Sequence, residues 1–365
     1  MRDGTAGTLT IDLDAIAANW RSLSDRVAPA ACAAVVKANG YGLGAGEVAR
    51  RLQAEGCGWF FVAHLEEAVA LRRTVPDLPI VALNGPLPGL EPEFVAHGVL
   101  PALNDLGQIA AWQALARRLE RPLDAVVHID TGMNRLGLEA REVALLGDDR
   151  SLLAGLRPLL WMSHLACADL RDHPLNETQR ARFDQALRRL PPAPASLANS
   201  SGVFLGPPWH HQLARPGAAL YGINPTPWLA NPMRAAVRLT GKILQIHEVD
   251  TGIGVGYGAE WKAPRPSLVA TVAAGYADGY LRSLKERTVV FLKGQSLPVI
   301  GRISMDLITV DVTDAAAPAR PGDEVELLGP NLGVDELGER AGTIGYEILT
   351  QLGNRYHRRY LGAVA

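Results

Sequence analysis

The stretch AAVVKANGYG, residues 33–42, ends a short apolar, β-branched run on a lysine. An ammonium is costly to take out of water unless it is paired or neutralised, so Lys37 is either a rim group in solvent or a group used in chemistry. A lysine whose surroundings favour the neutral amine can attack an aldehyde and hold it covalently. Polar residues follow other apolar runs in the same manner: Tyr41 behind the first, Asn84, then His128, Asp130 and Arg135, then His164, then Asn199 and Ser200, and last Arg215 with Gly217. Two of these stretches suit an anion. In LANSSG and ARPGAALYG, small residues and glycines let backbone N–H groups approach a phosphate, and Ser200 adds a hydroxyl. Taken singly, ANSSG reads equally as a helix N-cap and RPG as a turn.

Such side chains can meet only if the runs before them are strands of one sheet. Beginning at Ala33, the runs AAVVK, WFFVA, PIVALNG, VLPALN, DAVVHID, LLWMSHL, ASLANS and HQLARPG recur. Most are separated by segments of helical spacing, such as Gly44 to Glu55, Leu65 to Thr74, Asp105 to Leu119 and Leu175 to Leu190. Strands alternating with helices in this way predict a closed parallel (β/α)8 barrel of the TIM type, whose catalytic face is built from the C-terminal ends of the strands. Pro101 weakens the fourth strand, because it lacks a ladder donor. After YGINPTPWLANP the texture changes to strand-like runs joined by Gly, Pro and Asp turns, from AAVRLTGKILQIHEVD to DEVELLG. The expected division is an α/β barrel domain over residues 1–230 and an all-β domain over 231–365, closed by a helix from Tyr346 to Arg355. The early strand TLTIDL fits either domain.

The composition narrows the possible partners. The chain has 365 residues, 48% hydrophobic and 20% charged, enough for a sizeable core and two domains. Thirty-six basic residues against 38 acidic ones, without a block of like charge, argue against nucleic acid or an anionic membrane as partner. No apolar run approaches the roughly 18 residues of a bilayer span, and the start has no apolar h-region, so the expected location is the cytoplasm. Cys32, Cys57 and Cys167 lack metal-ligand spacing and read as reduced thiols; no metal site is expected.

The stretches VVKANGYGLG, DTGMNRLG, SHLACAD, LANSSG, ARPGAALYG, VGYG, GRISMD and TIGYEIL, in this order between residues 35 and 349, resemble the alanine racemases of the fold-type III pyridoxal-phosphate family. The resemblance implies racemisation of alanine by two bases. Lys37 would hold pyridoxal 5'-phosphate covalently and serve the D side of the α-carbon, and Tyr257 would serve the L side. A phenol is an ordinary base only near pH 10, so Tyr257 would need assistance, which the family assigns to a histidine, here His164, partnered by Arg215. Arg215 would face the pyridine nitrogen, which a guanidinium cannot protonate. Arg135 would bond the cofactor's phenolate oxygen and help bind substrate. Tyr41, Ser200, Gly217, Ala218 and Tyr346 would hold the phosphate, with Asn199 beside them, and Met305 would meet the substrate carboxylate through its amide. The resemblance further implies a head-to-tail homodimer in which the β domain of one copy completes the site of the other, and D-alanine supply for peptidoglycan.

Two positions depart from the family. Many members carry a carbamylated lysine where this chain has His128, and a cysteine where it has Ser304. Histidine cannot form that carbamate, so His128 is either an acceptor for Arg135, part of an anion site, or a hydrogen-bonded barrel residue without effect on rate. A broad-specificity or serine racemase on the same scaffold remains an alternative, since one hydroxyl changes discrimination only modestly. A fold-type III decarboxylase is disfavoured, because that family sets an acidic partner where this chain has Arg215.

Overall fold

The computed structural model describes residues 5–364, which divide into two compact units. One comprises Ile16–Leu220 and Asn224–Arg234, and the other the residues up to Ala15, Tyr221–Ile223 and Ala235–Ala363.

The first unit is the barrel. Its strands in order are Ala31–Cys32 with Ala34–Val35, Phe60–Val62, Ile80–Ala82, Leu100–Leu103, Leu123–His128, Leu156–Met162, Ala195–Ser196 and Leu213–Ala214. Every pairing between neighbours is parallel, and the eighth strand returns to the first with Leu213 opposite Ala31. The ring is closed between strands seven and eight by Gln212 N–H to Ala195 O (3.0 Å) and Arg215 N–H to Ala198 O (2.8 Å). Strands covered on both faces read as unbroken apolar runs, and Phe60, Phe61, Val62, Ile80, Val81 and Ala82 are all fully buried. Pro101 does not break the fourth strand: it lies second in it, opposite Ala82. The intervening helices include Ala45–Ala54, Leu65–Arg72, Leu106–Arg118, started by Asp105 accepting from Gln108 N–H (2.8 Å), and Pro174–Arg189, started by a proline that needs no donor there. Strand seven is followed by short 3₁₀ turns, Gly202–Phe204 and Pro207–Trp209.

The second unit is an eight-stranded, mainly antiparallel sheet. Its organising element is Val237–Val249, which pairs with Gly7–Asp12 and Glu324–Leu328 along its first half and with Ser267–Ala273 along its second, so the sheet closes on itself. TLTIDL therefore belongs to this sheet, where Leu9 and Ile11 are fully buried and Thr8 and Thr10 face the other side. Two sequence expectations need correction. The terminal helix is shorter than expected, Gly345–Gln351, and a parallel edge strand, His357–Leu361, follows it against Gly7–Asp12. A helix, Val334–Ala341, also precedes it. HRRYL is too charged to read as a strand, but an edge strand buries little and tolerates charge. Among the described residues no helix is long and apolar enough to cross a membrane.

Candidate active site

Lys37 leaves the first barrel strand and enters an unusual turn. Ala38, Asn39 and Gly40 have φ/ψ near 53/47, 53/48 and 64/48, and Tyr41 follows at φ 53. This is a left-handed turn, carried by Gly40 N–H to Val36 O (2.8 Å), Gly42 N–H to Ala38 O (2.7 Å) and Gly44 N–H to Asn39 O (2.8 Å). Each non-glycine residue in that conformation costs about 1–2 kcal/mol, so the turn persists only because its surroundings over-determine it. Burial, and after it the Arg135 guanidinium, lower the proton affinity of Lys37 below that of an ordinary lysine, while Glu67 acts in the opposite direction.

The fifth strand delivers His128, and the loop after it is wound on Asp130. The Asp130 carboxylate accepts from the N–H groups of Gly132 (2.8 Å), Met133 (2.9 Å) and Asn134 (3.0 Å), so it shapes the loop that presents the exposed Arg135. His128 is buried and its tautomer is set by Asn104. The Asn104 amide donates to the carbonyls of Leu83 (3.2 Å) and Ala102 (2.9 Å), so its oxygen faces His128 Nδ1 at 2.8 Å and that nitrogen carries the proton. Nε2 is then an acceptor. Burial, followed by the Arg215 charge, lowers the His128 pKa to about 4 from 6.5. A folded pKa below the unfolded one means that the unfolded chain binds more protons between these values. The neutral ring's contribution to stability is therefore present above pH 6.5 and lost as pH falls toward 4, by roughly 3 kcal/mol for this group alone. His128→Asn is expected to flatten the acid side of the stability curve between pH 6.5 and 4 in urea unfolding; an unchanged slope would refute a neutral buried ring.

Strand six delivers His164, held uncharged by burial and then by Arg215, Arg135, His128 and Lys37. Strand eight delivers Arg215, which is buried at 5% exposure and donates to Ser196 Oγ and to the Ser163 carbonyl (2.5 Å), with its guanidinium 5.9 Å from the Phe61 ring centroid. Its hydrogen-bond acceptors are neutral, and burial lowers its pKa to about 10, still far above neutrality. It is thus a fixed cation among neutral acceptors.

Strands seven and eight form an anion corner. Ser200 Oγ accepts from Gly217 N–H (2.9 Å) and Ala219 N–H (3.2 Å), which occupies its lone pairs and leaves its own hydrogen to donate outward. The Tyr41 hydroxyl reaches the same corner: a Cβ on Gly217 would come 2.3 Å from it and 3.2 Å from Val35 Cβ, so only glycine fits. The Asn199 side chain is spent on the loop itself, accepting from Gly202 N–H (2.9 Å) and donating to Leu165 O (3.4 Å). Asn84 is exposed, with its amide nitrogen 3.3 Å from His64 Nδ1.

Tyr257, Met305 and Tyr346 lie in the β unit and are solvent-facing within it, at 71%, 54% and 39% exposure. Tyr257 stands between Gly256 and Gly258, whose φ values of 72° and 73° make the sharp turn VGYG. The loop carrying Tyr257 is tied to the loop carrying Met305 by Glu260, which accepts from Arg302 Nε (2.6 Å) and pairs with Lys285. Met305 O receives Ala277 N–H (3.0 Å). Sequence reasoning did not find Glu67, Asn104, Ser196, Glu260 or Arg302; Arg302 stood inside GRISMD, whereas the others act only through folded contacts. Cys32 and Cys57 are buried, and burial raises both thiols, Cys57 to about 12, so they are inert core.

The corner, the buried guanidinium and the weakened ammonium at one end of the barrel fit a phosphorylated aldehyde. Comparisons with known proteins agree with this architecture. Family models for the alanine racemase N-terminal domain and C-terminal domain match residues 11–225 and 236–360. An alanine racemase of Rhodospirillum rubrum is 52% identical over 364 residues, 99% of this chain and 97% of that protein. A protein of Mesorhizobium japonicum named alanine racemase, catabolic, is 51% identical over 97% of this chain and 93% of its own length. The crystal structure of alanine racemase from Bartonella henselae, with covalently bound pyridoxal phosphate, superposes with a TM-score of 0.95 at 40% identity, covering 98% of this chain and 100% of that one. With both domain models matched in order and half of all residues identical to such relatives, the chain belongs to the alanine racemase family.

Proposed function

We propose that the protein interconverts L-alanine and D-alanine with pyridoxal 5'-phosphate, using Lys37 and Tyr257 as bases on opposite faces of the α-carbon. The observation that carries the reading is Lys37 itself: a lysine of lowered proton affinity at a strand end, among Arg135, His164 and Arg215 and beside the Ser200–Gly217 corner. Pyridoxal phosphate, joined to the amino group of an amino acid, withdraws electrons from the α-carbon and makes its proton removable.

The residues of the chain divide the remaining work. Lys37 would hold the cofactor and take or return the proton on the D side. Its reduced proton affinity favours the neutral amine that attachment and proton removal require. Ser200 would donate its hydrogen to the phosphate, supported by Tyr41, by the Ala218 backbone and by Tyr346, while the Gly217 N–H acts indirectly by holding Ser200 Oγ. Arg215 would donate to the pyridine nitrogen without surrendering a proton, because its pKa of about 10 keeps it charged. With that nitrogen left unprotonated, a bound cofactor would withdraw electrons less strongly, which would favour prompt return of a proton over side reactions. Neutral His164 can accept a hydrogen bond from the tyrosine. Arg135 orients the cofactor oxygen and, with the Met305 amide, the substrate carboxylate.

Tyr257 and Met305 are exposed on the β unit, which supports a homodimer in which the β unit of one copy completes the barrel site of another. The physiological role that follows is cytoplasmic supply of D-alanine for peptidoglycan. Chiral analysis of L-alanine and L-serine, each incubated with the loaded protein, tests the reading. Equal D and L at the end point with alanine and much slower change with serine are expected. Comparable rates would make it a broad-specificity or serine racemase, and unchanged chirality with carbon dioxide release would make it a decarboxylase.

A further inference from the structure

The left-handed turn behind Lys37 has an anchor that lies outside the strand it follows. Glu67 is half-buried in the first turn of the helix Leu65–Arg72, and each of its carboxylate oxygens is used. Oε1 accepts from Ala38 N–H at 2.5 Å; Oε2 accepts from Ala63 N–H at 2.8 Å and more weakly from His64 N–H at 3.3 Å. The Ala38 N–H belongs to the peptide group directly after the Cα of Lys37, and Ala63 and His64 directly follow the second strand. One carboxylate therefore joins the chain leaving strand one to the chain leaving strand two. The second anchor, Asn39 Oδ1 to Ala45 N–H (3.0 Å), holds only the far side of the turn.

We infer that Glu67 is a positioning residue for Lys37, fixing the peptide plane that sets the direction of the lysine side chain. The inference rests on the proposed role of Lys37. The turn needs an outside anchor at this peptide, because left-handed backbone at Ala38 is disfavoured for a residue with a Cβ, whereas Asn39 tolerates it. A carboxylate is suited to the task, since a bond from a backbone N–H to an ionised oxygen is shorter and stronger than one to a neutral acceptor. Glutamine at this position could serve one side of the bridge with its single oxygen and would turn an N–H2 toward the donors on the other.

The test is Glu67→Ala beside Glu67→Gln, with Glu66→Ala as an exposed neighbour. Hydrogen exchange by mass spectrometry over residues 36–45 is read together with kcat and KM per cofactor-loaded site. The expected result for Glu67→Ala is faster exchange confined to that segment and the start of the next helix, kcat lowered about 10- to 100-fold, and KM changed less than about twofold. Glu67→Gln should fall between it and the wild type, and Glu66→Ala should match the wild type. Wild-type exchange and kcat in Glu67→Ala would overturn the inference. So would faster exchange across the whole barrel with kcat per loaded site unchanged, which is the signature of a merely stabilising residue. Exchange is read independently of the reaction, so failure of the racemase reading and failure of this one are told apart.

Discussion

Lys37→Ala is expected to abolish racemisation in both directions, by at least about 10³-fold in kcat, because one substitution removes the covalent anchor and the base on one face. The buried polar site loses the amine while Arg215, Ser200 and Tyr41 stay, so the cofactor should still bind, held through its phosphate and ring alone. Borohydride treatment separates these roles: it should fix the cofactor's mass on the loaded wild-type chain at Lys37 and leave the variant chain unmodified. A small amine added to the variant should restore part of the rate, since it can enter the space vacated by three methylenes and the amino group. Activity of the variant above about a tenth of the wild type without added amine would remove Lys37 from the mechanism.

Tyr257→Phe deletes a single oxygen from a side chain that is 71% exposed within its own unit, so stability should be nearly unchanged. Loss of one of two bases is expected to reduce racemisation about 10²- to 10⁴-fold. The loss has a direction. In deuterium oxide, D-alanine should still exchange its α-proton through Lys37, whereas L-alanine should not. Mixing this variant with Lys37→Ala under conditions that exchange subunits then tests whether sites are shared. If each site takes its lysine from one copy and its tyrosine from the other, a mixed dimer holds one intact site, and an equal mixture recovers about a quarter of wild-type activity. If both residues come from the same copy, every site keeps one defect and nothing is recovered.

The reach of sequence reasoning shows in particular elements. The apolar runs before Lys37, His128, His164 and Arg215 read as strands because a parallel barrel buries both faces, so the signal is continuous. Pro101 weakens the fourth strand on local grounds, yet the strand forms as expected, its place settled by Val81 and Leu100 in register with each other. His357–Leu361 was missed for the converse reason: three of its five residues are exposed, and its place comes from pairing with a segment some 350 residues earlier. In KANGYG only Asn39 and the glycines are residue types that tolerate positive φ, whereas Ala38 and Tyr41 adopt it with no local signal.

By itself, the sequence determined which chemistry is available: a lysine, an arginine without acidic companions, a Ser and Gly corner, and a barrel whose strand ends gather them, all set by residue type, periodicity and order. Only the tertiary structure decided the states of these groups. The pKa of His128 depends on burial and on Arg215, its tautomer on Asn104 and the carbonyls of Leu83 and Ala102, and the peptide behind Lys37 on a carboxylate from the helix Leu65–Arg72. Proton affinity and orientation come from neighbours that are distant in the chain. Folding assembles those neighbours, and no local pattern encodes them.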